Sequence, residues 1–171
     1  MSITSAFSLP CENNTGGLVN LWLTDKANVS SFTESGGEWT AVTMNSSAVF
    51  YKYEFEQDMA EYTTPASREN SSTLVNHNIE FYLTKMTTLQ RNAIQAIFDS
   101  STCGMVGIAE DANNNKWVVG YSANFGTARP LKIASTEGGT GKAFTDGNGT
   151  TVNIASSDNE LAKVFTGTVP V

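Results

Sequence analysis

Residues 138–143 read GGTGKA, and a glycine-lysine step of this kind can cradle a phosphate between backbone N–H groups and an ammonium. The complete pattern needs a glycine where Thr136 stands and a Mg²⁺-binding hydroxyl where Ala143 stands, so the segment reads as a flexible loop. Asp111, Asn113 and Asn115 have the alternate spacing of a calcium loop, as do Asp146, Asn148 and Thr150. Their sixth positions are Lys116 and Thr151 instead of glycine, and their twelfth are Ser122 and Ser157 instead of a bidentate glutamate, so both read as turns. Glu54, Glu56 and Asp58 are the remaining acidic set. Paired carboxylates could flank a glycosidic bond, but no sequence feature sets their separation, and a solvated or channel-facing acidic surface is the expectation.

His77 lies among apolar neighbours without an Asp-His or Cys-His partner, which predicts a packed histidine with local hydrogen bonds. Cys11 and Cys103 share no short spacing with each other or with His77, so zinc arrangements are absent. Two reduced, packing cysteines are expected, with a single disulfide as the alternative. No Gly-x-Ser-x-Gly elbow, dinucleotide fingerprint or His-Glu-x-x-His motif occurs, and the chain is expected to be neither an enzyme nor a carrier of metal or cofactor.

The elements that hold these residues are those of one β-rich domain. A chain of 171 residues, 40% hydrophobic and with nine Phe, five Tyr and three Trp, can bury a core of its own. Its net charge of −7, with ten scattered Lys and Arg, argues against a surface that grips nucleic acid, while an acidic wall that repels DNA stays open. MSITSAFSLP has neither a basic start nor a long apolar run, so no signal peptide or membrane anchor is expected. Without an export signal, the sequons at Asn13, Asn28, Asn45, Asn70 and Asn148 read as turn chemistry.

Residues 1–16 are read as a polar N-terminal arm and residues 17–171 as a single β-sandwich or barrel domain of about seven to nine strands with one flanking helix. In Leu18 to Thr24 the alternation puts Val19, Leu21 and Leu23 on one face and Leu18, Asn20 and Trp22 on the other, with both faces open to burial. Strands are expected over 38–44 and 48–56, the second turning Val49, Tyr51, Tyr53 and Phe55 to the core. Residues 57–73 show no periodic pattern and read as a long loop, a candidate intersubunit arm carrying Glu61, Tyr62, Pro65, Arg68 and Glu69. Alternation resumes over 74–83, with Val75, His77, Ile79, Phe81 and Leu83 on one side. Thr87 and Gln90 have capping-box spacing and open a helix over 87–99, whose stripe is Leu89, Ala93, Ile94, Ala96 and Ile97 while Gln90, Arg91, Asn92 and Gln95 face outward. A hairpin over 103–121 and strands near 130–135, 150–155 and 161–166 complete the chain.

The order of these elements resembles that of small virion structural proteins of tailed phages, tail-tube proteins above all. The residues that carry the resemblance are Cys11 with Gly16-Gly17, Phe50-Tyr51-Lys52-Tyr53-Glu54-Phe55, Phe81 to Met86, Thr140-Gly141, and Asp146-Gly147-Asn148-Gly149, within residues 11–169. The resemblance implies a β-sandwich or barrel that forms rings, usually of six copies, stacked into a hollow tube that conducts DNA without specific binding. It further implies strand pairing between neighbours around a lumen, bridging of rings by a long loop and the termini, other virion proteins as partners, and a place in a virion assembled in the host cytoplasm. The alternatives are a head-to-tail connector, a capsid decoration protein, or a carbohydrate-binding β-sandwich with Trp22, Trp39 or Trp117 as a stacking platform. A jelly-roll hydrolase using Glu54 and Glu56 is the remaining reading.

Overall fold

The computed structural model describes residues 3–171; of the expected arm, residues 1 and 2 lie outside the described residues. In chain order the elements are β1 (Leu18–Asp25), β2 (Val29–Ser35), β3 (Glu38–Met44), β4 (Tyr51–Tyr53), β5 (Ala60–Thr63), β6 (Ala66–Glu69), β7 (Ser72–Thr84), α1 (Thr88–Ser101), β8 (Met105–Asp111), β9 (Lys116–Val119), β10 (Lys132–Gly139) and β11 (Gly149–Asp158). They build three antiparallel sheets: β4-β1-β8-β9, β10-β11-β7-β5 with β6 also on β7, and the hairpin β2-β3. Among the described residues the expected mainly-β fold with one α-helix forms, with 11 strands instead of seven to nine.

Two cores flank the four-stranded sheet. Leu21, Leu23, Met105, Ala109 and Val119 point from one face toward Ile79, Phe81, Val152 and Ile154 of the five-stranded sheet and toward Ile94 and Ile97 of α1. Val106, Ile108 and Val118, on the opposite face, meet Val29, Phe32, Trp39, Phe50 and Phe165. Each such side chain taken fully out of water contributes roughly 1.5–3 kcal/mol before entropy is charged. The C-terminal segment secures the second core, because the Val164 carbonyl accepts from Trp39 N–H (2.8 Å) and Phe165 N–H donates to the Lys116 carbonyl (2.7 Å). Residues 161–166, expected as a strand, therefore make isolated bridges to β3 and β9.

Three local expectations change. Register slips between Leu18 and Asn20 opposite β8, so Val19 is the extra residue of a bulge and stays exposed while Leu18 enters the core. Only Tyr51–Tyr53 of the expected strand over 48–56 pairs in a sheet; Phe50 turns into the second core and Tyr51 to solvent. The helix spans 88–101 with Thr87 as its N-cap, whose side chain accepts from Gln90 N–H (3.3 Å). Gln90, expected outward, is buried: its amide donates to the Leu83 carbonyl (2.7 Å) and the Thr150 hydroxyl (3.3 Å), locking the helix start to β7 and β11. Turning Gln90 inward rotates Leu89 and Ala96 out of the expected stripe.

Candidate assembly surfaces

The segment expected as a loop over 57–73 folds onto the chain's own sheet. Ala60 to Thr63 pair with Phe81 to Asn78, and Ala66 to Glu69 pair with Val75 to Ser72. Asn70 and Ser71 both have positive φ (47° and 68°), the requirement of a two-residue type I′ hairpin turn. Residues 66–74 are exposed along their whole length, so this hairpin stands clear of the core with Arg68 and Glu69 in solvent. Pro65 links the two strands, and its carbonyl accepts from Asn76 N–H (2.9 Å).

Tyr62 is not part of a free arm. Its ring packs against the first core, and its hydroxyl lies 2.8 Å from Nδ1 of His77, which is buried. The other imidazole nitrogen, Nε2, faces the Glu160 carbonyl at 3.2 Å. A carbonyl only accepts, so Nε2 carries a proton, and in the neutral imidazole that burial favours Nδ1 then accepts from the Tyr62 hydroxyl. Desolvation holds the His77 pKa below its ordinary value, opposed by its bond to the Glu160 carbonyl and by the Asp158 and Glu160 carboxylates. Burial likewise pushes the Tyr62 phenol up. The expected packed histidine with local bonds is what the chain forms.

Of the acidic residues singled out from sequence, Glu54 and Asp58 line different clefts. Glu54 is exposed and paired with Lys52 (3.1 Å), and Glu56 lies exposed in the link from β4 to β5. Asp58 lines a shallow cleft of about 420 Å³ together with Glu61, Glu80 and Tyr82. That cleft borders a surface which sequence reading missed, the solvent face of the five-stranded sheet. Alternation along β7 sends Val75, His77, Ile79 and Phe81 inward and leaves Asn76, Asn78, Glu80 and Tyr82 on the other side. Across the strands Glu61 stands opposite Glu80, Glu80 opposite Asn153, and Asn153 opposite Ser135. In the next row Tyr82, Thr151 and Glu137 are neighbours. The face thus combines amides, hydroxyls and the exposed carboxylates of Glu61, Glu80 and Glu137 with one exposed lysine, Lys132, opposite Ala155.

Among the described residues no strand pairs with the outer side of β10 or with the outer side of β5 and β6. The start of β10 is nonetheless tied down: Ile133 N–H donates to the Ser101 hydroxyl at the end of α1 (2.9 Å), and Leu131, just before β10, exchanges backbone bonds with Met105. The four-stranded sheet differs: the 163–165 segment bonds along β9, and only β4 presents a free edge. Beside β4 lies a cleft of about 950 Å³ between the sheet and α1, with Tyr51, Tyr53, Leu89, Ala93 and Ala96 on its walls.

The other motifs resolve as local structure. The Asp111 carboxylate accepts from the N–H groups of Asn113 and Asn115 (both 2.9 Å) and from Trp117 Nε1 (3.3 Å), so the calcium-like spacing closes a hairpin turn. In the GGTGKA loop the N–H groups of Lys142 and Ala143 are taken by the chain's own Asp146 carboxylate (2.8 and 2.7 Å), bonds that hold the Asp146 pKa down. Among the described residues no group of three or more His, Cys, Asp or Glu is placed to hold a metal. Trp39 is buried against Phe32 and Tyr121, and Trp22 and Trp117 are half-buried. Cys11 and Cys103 are free, as expected, but exposed instead of packed. No described helix is long and apolar enough to cross a membrane. No family model, no curated protein and no solved structure matches the chain.

Proposed function

We propose that this chain is a non-enzymatic, self-assembling subunit that closes into rings and stacks into the hollow tail tube of a tailed phage, conducting DNA without binding it. One observation carries the reading: among the described residues no strand pairs with either edge of the five-stranded sheet, and the face between them is polar, with three exposed carboxylates to one lysine. An open edge offers a row of unpaired backbone donors and acceptors that natural proteins cover or pair. Pairing β10 of one copy with β5 and β6 of the next is a heterologous contact, and such contacts close into rings when the rotation allows. A ring built this way turns the same sheet face of every copy inward. Fixed carboxylates from Glu61, Glu80 and Glu137 then repel phosphates, and the face has no lysine-rich row that could displace counterions from DNA.

Six copies per ring is the number its resemblance to tail-tube proteins suggests, and its partners are then other copies and other virion proteins. The exposed hairpin 66–74 then belongs, with β5, to the edge that β10 of the neighbouring copy joins. Sedimentation velocity over a concentration series tests the reading. A discrete closed oligomer is expected, and a species that stays monomeric at every concentration contradicts it.

A further inference from the structure

We infer that the cleft between α1 and the free edge of β4 is the seat of the N-terminal arm, residues 3–10, of a second copy of this chain. The inference rests on the self-assembly reading above and adds a contact separate from the ring-closing edges.

The arm carries the first half of the argument. Ile3, Phe7 and Leu9 are 97%, 85% and 84% exposed, an unusual state for three large apolar side chains within seven residues. All three occupy odd positions, so an extended chain presents them on one face with only Ser5 between. Residues 3–10 carry no charge and form no regular structure. The arm is tied to its own chain only at its root, where Thr15 N–H donates to the Asn113 side chain (3.0 Å) and Asn113 bonds back to Asn14 (3.1 Å) and to the Thr15 carbonyl (3.0 Å).

The cleft matches it in chemistry, length and backbone. Leu89 and Tyr51, on opposite walls, are 82% and 64% exposed, and Ala93 and Ala96 leave room between them for larger side chains. The charges at its rim balance, with Lys52 and Lys85 against Asp25 and Glu54, which suits an uncharged segment. An extended chain from Ile3 to Leu9 spans about 20 Å, and the 14-residue helix that forms one wall spans about 21 Å. The free edge of β4 supplies the backbone donors and acceptors that an added strand needs, while alternate side chains enter the apolar trough.

A photo-cross-linking experiment on the full chain tests this. Phe7 is replaced by benzoylphenylalanine, the protein is prepared in ¹⁴N and ¹⁵N forms, and the two are mixed, irradiated and digested for mass spectrometry. The expected products join position 7 of one isotope to residues 51–54 or 88–101 of the other. Adding Leu89→Glu and Ala96→Glu, at exposed positions that leave the core intact, lowers their yield at least about tenfold by placing charge in the trough. Cross-links confined to one copy, cross-links elsewhere, no cross-link, or products indifferent to the two glutamates would each overturn the inference. Micrographs of the same samples separate the two claims: rings without the cross-link leave the ring reading standing, and the cross-link without rings leaves the arm contact standing.

Discussion

Replacing Tyr62 by Phe keeps a ring in the first core and removes one hydroxyl, the donor to Nδ1 of His77 at 2.8 Å. His77 is 3% exposed, so water cannot substitute freely for the lost donor. The variant forfeits one net hydrogen bond and leaves a buried acceptor unpaired, together a loss of about 1–3 kcal/mol. In a protein of this size that lowers the melting temperature by about 2–12 °C. The same site gives a pH dependence whose sign is fixed. Desolvation places the folded-state pKa of His77 below that of the unfolded chain, near 6.5, so on acidification the unfolded state takes up the proton first. The stability this supplies is fully present above about pH 6.5 and is lost as the pH falls from there toward the folded pKa. The Asp158 and Glu160 carboxylates oppose the shift and moderate the slope. Urea unfolding at about pH 7.5 and about pH 5.5, on wild type, Tyr62→Phe and His77→Gln, reads both effects. Wild type should be less stable at the lower pH and His77→Gln should show a flatter dependence. A Tyr62→Phe protein as stable as wild type, or a wild type that gains stability on acidification, would refute the reasoning.

Glu80→Gln relieves the direct cross-strand opposition to Glu61, and the isolated subunit should gain about 0.2–1 kcal/mol at low salt. The gain should shrink at about 1 M salt, and a loss of stability at low salt would show that the two carboxylates do not repel as their register implies. Gly149→Ala places a methyl group against the Leu83 carbonyl and the Tyr82 ring, where β11 starts beside the end of β7. A rigid backbone neighbour cannot yield, so thermal melts should show a loss of about 1–3 kcal/mol, and an unchanged melt would mean that β11 and β7 do not pair so closely there.

Periodicity made β7 legible, because one of its faces is core along most of its length and the other is polar. The hairpin over 103–121 and the helix start at Thr87 were equally open to reading, since turn residues and a cap have local causes. Residues 57–73 were not. β5 buries only Ala60 fully and Tyr62 in part, and β6 has all four residues in solvent, so neither writes an alternation into the sequence. What places them is pairing with β7, a tertiary cause. Gln90 misled for a related reason: a polar residue at a helix start is expected outward unless a carbonyl such as that of Leu83 waits for it. The acidic face was the hardest to foresee. Glu61, Glu80 and Glu137 are far apart in the chain and share a face only through the register of four strands, whereas Glu54 and Asp58, close in sequence, line different clefts.

Electron micrographs of the concentrated protein address the central claim most directly. Class averages should show hollow rings or stacked tubes in which the five-stranded sheets run continuously around an open lumen faced by Glu61, Glu80 and Glu137. Fields of separate monomers, or closed particles in which that sheet face is covered by protein, would contradict it.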